Sequence, residues 1–202
     1  MRLLVDSDVF CKLGVGNLLS DALAIFGTSV SDCGGLPALP HMLRKGKLIK
    51  VYGAEACANL VPLAEKLQTI PAPDTTWLDR LTPVPAIDPG EAQLFAIAAQ
   101  HSLSLITGDK RALRALKDIN GYAEALAGRI IVLEAILLSL CDRLGHDEVR
   151  RRLGPLTTDK TLQICFSEGN PDPRIPLASY YRSLVTEVYP LLLWEPHTGG
   201  PA

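Results

Sequence analysis

The segment from Asp88 to Lys117 limits the possible folds more than any other part of the chain. Asp88 is a good N-cap residue, Pro89 suits the first helical position, and Glu91 stands where a capping box wants an acid. Ala92, Leu94, Phe95 and Ile97 to Ala99 put apolar side chains on nearly every side as far as Gln100, which predicts a deeply buried helix. Leu103 to Ile106 then reads as a short strand, Thr107-Gly108-Asp109 as a turn, and Lys110 to Lys117 as a second helix. Helix, strand, acid, helix is the alternation of a parallel sheet. The N-terminus offers the same strand-to-acid step: Leu3-Leu4-Val5 is a buried strand ended by Asp6-Ser7-Asp8. A helical face follows over residues 9 to 26, weakened by Gly14 and Gly16 so that two short helices fit it.

The remaining segments are read from the same periodicities. Thr28 to Ser31 is a candidate second strand, and Gly34-Gly35, Pro37 and Pro40 predict irregular chain after it. Arg44 to Val51 looks like a basic hairpin, residues 55 to 68 a helix, and the proline-rich stretch 69 to 90 a loop around a short element near Trp77. Beyond Gly121, Arg129 to Leu133 reads as another strand, followed by helices over 134–144, 146–153 and 176–189 and by terminal residues expected to fray. The expectation is a three-layer α/β/α sandwich around a central parallel sheet over residues 1–125. Residues 126–202 are expected to form a mostly helical C-terminal extension packed on that core.

Composition narrows the function classes. Hydrophobic content of 48% and charged content of 21% are those of a packed domain rather than a disordered chain. A net charge of -2 argues against a strongly basic nucleic-acid coat, while leaving room for an acidic site with a local basic rim. The five cysteines are scattered and never spaced as CxxC, as expected of reduced thiols in a cytoplasmic protein. Acid arrives too early at the N-terminus for a secretory signal, and Ile130 to Leu140, interrupted by Glu134, is too short to span a bilayer, so no membrane partner is expected. The four histidines, His41, His101, His146 and His197, show no ligand spacing.

Asp6 and Asp109 each follow directly on a predicted parallel strand, and Glu91 opens a helix at the same loop-rich edge. Ligands bind at the carboxyl ends of the strands in such sheets. Carboxylates gathered there repel one another unless a cation neutralises them, and oxygen-only ligands suit Mg²⁺ or Mn²⁺ rather than zinc. Each acid also has a structural role open to it: Asp6 or Asp8 as cap of the first helix, Glu91 in the capping box of Asp88, Asp109 as cap of the helix after it. Lys110, Arg111, Arg114 and Lys117 form one basic group and Arg44, Lys45, Lys47 and Lys50 another. These are phosphate contacts on one view and solvated faces on the other.

Leu4-Val5-Asp6-Ser7-Asp8-Val9 resembles the opening motif of PIN domains. Gly90-Glu91-Ala92 with Leu94, Ala96 and Ala98-Ala99 resembles the Gly-Glu-Ala helix of a bacterial and archaeal branch of that superfamily, and Leu105 to Ala112 is similar to its later strand-plus-acid motif. The likeness covers residues 3 to 117 and is nearest to VapC-like toxins and other stand-alone PIN nucleases. It implies metal-dependent endonucleolytic hydrolysis of single-stranded or structured RNA, leaving a 5′-phosphate and a 3′-hydroxyl. Asp6, Glu91 and Asp109 would be the catalytic metal ligands, Asp8 a supporting one, and Lys110, Arg111 and Arg114 the substrate contacts. The chain departs from the family at residues 36 to 44, where an acid is usual and none stands; Asp32 is the nearby substitute. Two alternatives follow: a toxin held by an antitoxin-like protein, and a PIN-like binding module that has lost catalysis. Ile130 to Leu140 and Tyr189 to Trp194 are apolar enough to cover a sheet edge or make a homodimer contact, with packing onto the chain's own core expected.

Overall fold

A computed structural model describes residues 2–154, 156 and 159–196. Five parallel strands, β1 (Leu3–Val5), β2 (Cys33–Gly35), β3 (Gln68–Thr69), β4 (Ser104–Thr107) and β5 (Ile130–Val132), form one sheet in the order β3-β2-β1-β4-β5. Their length and burial explain them: β1, β2 and β5 are buried at every position, the mark of a sheet covered on both faces. The chain steps outward from β1 through β2 to β3, then crosses back to β4 on the far side of β1 and continues to β5. Right-handed crossovers running in opposite directions place their helices on opposite faces, which gives a three-layer α/β/α sandwich.

The first half of the crossovers uses α1 (Ser7–Val15), α2 (Leu19–Ala24), α3 (Leu39–Arg44), α4 (Lys47–Tyr52) and α5 (Ala54–Ala64), with α1 packed on α2 and α5. The return to β4 uses α6 (Thr75–Leu81) and α7 (Pro89–His101), and α8 (Lys110–Leu116) and α9 (Tyr122–Ala125) precede β5. After β5 come α10 (Leu133–Leu144), α11 (His146–Leu153), α12 (Lys160–Cys165) and α13 (Arg174–Val188). The expected buried helix is α7, with Asp88 and Glu91 forming both halves of its capping box.

Several segments differ from expectation, among them α3 in place of the expected irregular chain and β3 at the end of the helix expected to reach residue 68. The second strand is Cys33–Gly35, whereas Val30–Asp32 just before it is a 3-10 turn. Paired glycines read locally as a turn, yet a Cβ on Gly35 would sit 2.7 Å from a methyl of Leu67, so the glycine serves close packing inside the sheet. The basic stretch expected as a hairpin is helix α4, because Leu48, Ile49 and Tyr52 all pack against the core and share one helical face. Helices α9 and α12 had no counterpart in the sequence pattern, and His197 and the terminal residues expected to fray lie outside the described residues.

The segment expected to be an extension completes the sheet. β5 pairs with β4 in the register Leu105↔Ile130, Ile106↔Ile131 and Thr107↔Val132. α10 is buried from Leu133 to Cys141 and packs on α2, α11 and α13. The free edge of β5 is covered by the tail: Gly128 N–H donates to Leu192 O at 2.8 Å, Trp194 N–H to Ile130 O at 2.7 Å, and the Trp194 ring meets Phe26 edge-on at 5.1 Å. Among the described residues no helix is long and apolar enough to cross a membrane.

One apolar core therefore runs through both parts. In urea the full chain is expected to unfold in a single transition, and a fragment of residues 1–125 to show no cooperative transition by circular dichroism, since β4 loses β5 and α2 loses α10. A fragment that unfolds cooperatively with native-like helicity would contradict this.

Candidate functional site

Because all five strands are parallel, their carboxyl ends share one edge, and the direction of winding reverses between β1 and β4. Crevices form at such a reversal. Asp6 follows β1 directly, and its backbone N–H donates to Ile106 O at 3.0 Å, which continues the β1–β4 ladder and fixes the residue beside the end of β4. Asp109 follows β4 after the Thr107-Gly108 turn, and Glu91 enters from the first turn of α7. A cleft of about 930 Å³ opens here, lined by Asp6, Asp8, Glu91, Asp109, Lys110 and Arg111 among others.

The structural roles foreseen for these acids are realised unequally. Asp88 Oδ1 accepts from Gly90 N–H at 2.8 Å and Glu91 N–H at 2.9 Å, while Glu91 Oε2 accepts from Asp88 N–H at 2.8 Å. Asp109 Oδ1 caps α8 by accepting from Ala112 N–H at 2.9 Å. Asp6 sits at the N-cap position of α1 and makes no side-chain capping bond. Capping thus accounts for part of Glu91 and Asp109, and leaves the Asp6 carboxylate without that role.

Electrostatics binds the three acids to one another. Burial, and then the neighbouring Asp8, Asp88 and Asp109 carboxylates, push Asp6 up to about 7. Burial also raises Glu91 far above the usual carboxylate range, with its hydrogen bond to Asp109 and the Asp109 charge adding to it. Burial opposes the charge on Asp109 too, but the Ala112 N–H, the bond from Glu91 and the Arg111 guanidinium together hold it low. The consistent arrangement is a protonated Glu91 carboxyl donating to an ionised Asp109, one proton shared by a buried acid and a half-buried one.

The side chains as they stand do not form a cage: among the described residues no three His, Cys, Asp or Glu side chains are grouped closely enough to hold a metal ion. The donor chemistry nevertheless fits a hard divalent cation, being all oxygen, with the proton between Glu91 and Asp109 in the place of a positive charge. In the same wall, the buried Ser7 hydroxyl has no hydrogen-bond partner.

Asp8 is held by Tyr52, whose hydroxyl donates to it at 2.9 Å, and by Lys12 at 2.7 Å. Lys110 pairs with Glu134 at 2.5 Å, and Arg111 lies 3.5 Å from Asp109 with most of its side chain exposed. Arg114 is not in the cleft wall; it donates to Glu187 on α13 at 2.6 Å, and Lys117 reaches the Glu187 carbonyl at 2.8 Å. Of the second basic group Lys47 lines the cleft, whereas Arg44 pairs with Glu65. The stretch 36 to 44 lines the cleft with Leu36, Pro37, Ala38 and Met42, and Asp32 bonds to Ser29 outside the wall.

Two acids in the wall went unassigned from sequence. Glu134 lies just past β5, so it obeys the same strand-then-acid signal as Asp6 and Asp109, and as the interruption of an apolar run it was visible. Asp159, the N-cap of α12, arrives by tertiary folding with no local signal. Comparisons with protein-family models, curated proteins and solved structures each give no match, so the likeness to PIN domains stands on its motifs alone.

The protonation of Asp6 has a consequence for stability. Its carboxyl has the ordinary value of 3.8 in the unfolded chain and about 7 in the folded one, so the folded state holds the proton more tightly. That stabilisation is complete below the unfolded value and is lost as pH rises through 7. With chelator present, Asp6→Asn is expected to lose less stability than the wild type between pH 5 and 8.5. The gap is at most about 2.7 kcal/mol, at about 1.36 kcal/mol per pH unit over the two units from pH 5 to the folded value near 7. Parallel pH profiles of the melting temperature for the two proteins would rule this out.

Proposed function

We propose that the protein is a divalent-metal-dependent endoribonuclease, with Asp6, Glu91 and Asp109 as the acids that hold Mg²⁺ or Mn²⁺. The reading rests on one observation above all. Asp6, half-buried and without a capping bond, lines the same cleft of about 930 Å³ as the Glu91–Asp109 pair, at the reversal point of a parallel sheet. A bound divalent cation supplies charge neutralisation at a phosphate and a more acidic water. The chain's own residues do the rest. Glu91 would have to release its proton to water to act as a ligand, Asp109 is held ionised by its N–H donor, and Tyr52 and Lys12 fix the Asp8 carboxylate at the margin. Lys47 and the exposed Arg111, which is held only loosely at 3.5 Å from Asp109, are the cleft side chains best disposed to meet backbone phosphates. The ordered resemblance of residues 3 to 117 to PIN domains points to RNA as the substrate class.

One observation favours a second reading, a PIN-like module that binds RNA without cutting it: the wall formed by Leu36, Pro37, Ala38 and Met42 carries no acid. An antitoxin-like partner belongs to the toxin version of the first reading and changes none of its chemistry. Single-stranded RNA incubated with the full chain and Mn²⁺ is expected to yield fragments with 5′-phosphates. Asp6→Asn, Glu91→Gln and Asp109→Asn should each lower the rate by roughly two orders of magnitude. Equal rates for the wild type and Asp6→Asn, or no cleavage with any divalent metal, would sink the nuclease reading. RNA binding without cleavage would then select the module.

A further inference from the structure

The cleft is acidic even at the margin where phosphates would lie. Its lining holds seven carboxylates, Asp6, Asp8, Asp88, Glu91, Asp109, Glu134 and Asp159, against four cations, Lys12, Lys47, Lys110 and Arg111. Three of those cations already face carboxylates, Arg111 loosely at 3.5 Å from Asp109 and Lys12 and Lys110 closely. Lys12, only 15% exposed, sits 2.7 Å from both Asp8 and Asp159, and Lys110 sits 2.5 Å from Glu134, which is 6% exposed. Asp159 and Glu134 both come from the chain beyond β5, whereas both lysines come from α1 and α8, flanking Asp6 and Asp109. Tyr180 of α13 adds its ring at 5.5 Å from the Lys110 ammonium. The C-terminal half thus presents carboxylates to the lysines that stand nearest the acidic centre.

We propose that Glu134 and Asp159 stand in for backbone phosphates, engaging Lys110 and Lys12 and so setting the affinity of the cleft for RNA. The inference rests on the reading of the cleft as a site for a phosphodiester chain. A phosphate that reaches either lysine must displace a partly buried carboxylate and leave it without its counter-charge, which makes binding weaker and more selective than the number of cations implies. Only a ligand with several phosphates in register, one near each lysine and one over the metal-holding acids, recovers those losses together. Glu134 and Asp159 act through the lysines and are positioning residues.

Neutralising Glu134 frees Lys110, and neutralising Asp159 removes one of the two carboxylates that hold Lys12, in each case without removing packing. Glutamine is close to isosteric with Glu134, and asparagine at 159 retains the oxygen that accepts from Leu162 N–H. The affinity of a fluorescent oligouridylate is measured in EDTA, over a salt series, for the wild type, Glu134→Gln, Asp159→Asn and Glu55→Gln. Glu55 is an exposed acid of α5 outside the cleft wall and controls for net charge. The two cleft variants are expected to bind roughly fivefold tighter or more. The salt dependence of Glu134→Gln should steepen by about 0.7 in log K against log salt for the freed Lys110, and that of Asp159→Asn by less, because Asp8 still faces Lys12. Glu55→Gln should match the wild type. Equal affinity across the four proteins, or an equal gain in Glu55→Gln, overturns the proposal, and intact Mn²⁺-dependent cleavage by the same wild-type preparation then leaves the nuclease reading standing. A selective gain in the cleft variants, with no cleavage by any of them, supports the gating and removes the nuclease.

Discussion

The parallel pairing of β1 with β4, with Leu3 opposite Ser104 and Val5 opposite Ile106, is the contact on which the site depends. These strands are neighbours in space and distant in sequence, and they lie where the direction of winding reverses. At any other pair of strands a crossover loop would close over the edge. Here the loops diverge, and the residues just after each strand face a crevice. Shifting β4 by one residue would exchange the faces of Leu105 and Ile106, which are both buried, and carry Asp109 away from Asp6, so the register that packs these side chains also sets the spacing of the acids.

Burial and charge then act against each other at this edge. The same apolar packing that makes α7 and the strand ends rigid desolvates Asp6 and Glu91, and desolvation disfavours the ionised form. Protons offset it: Glu91 is pushed toward its neutral form beside Asp109, and Asp6 is pushed up to about 7. On the proposed reading, a divalent cation would replace those protons. That exchange is the physical content of the proposed metal dependence.

The C-terminal half is structurally and electrostatically part of the same unit. It contributes β5, the helix α10 that fills the space beside α2, and the tail that seals the outer edge of β5. It also supplies the carboxylates that meet Lys12, Lys110 and Arg114. Arg114, a substrate contact by resemblance, is turned to Glu187 and to the packing of α8 on α13. A long chain after the last acid of the motif set therefore serves both stability and the charge of the cleft.

Local physics made much of this legible in advance. The strand-acid-helix units at Leu3–Val15 and Ser104–Leu116 follow from apolar periodicity and caps within a few residues of one another, as does the capping box of Asp88 and Glu91. The sequence by itself therefore determined the α/β class and the three acids at strand and helix ends. It did not reveal β2, because Gly34 and Gly35 carry no side-chain pattern and their meaning lies in the approach of Leu67. Nor did it reveal α4, whose apolar residues gain their helical sense from the core they touch. Only the tertiary structure decided which acids share a proton, which lysines are paired and which carboxylates, Glu134 and Asp159 among them, join the wall. Those outcomes depend on distance and solvent exclusion between segments far apart in the chain, and no local pattern encodes either.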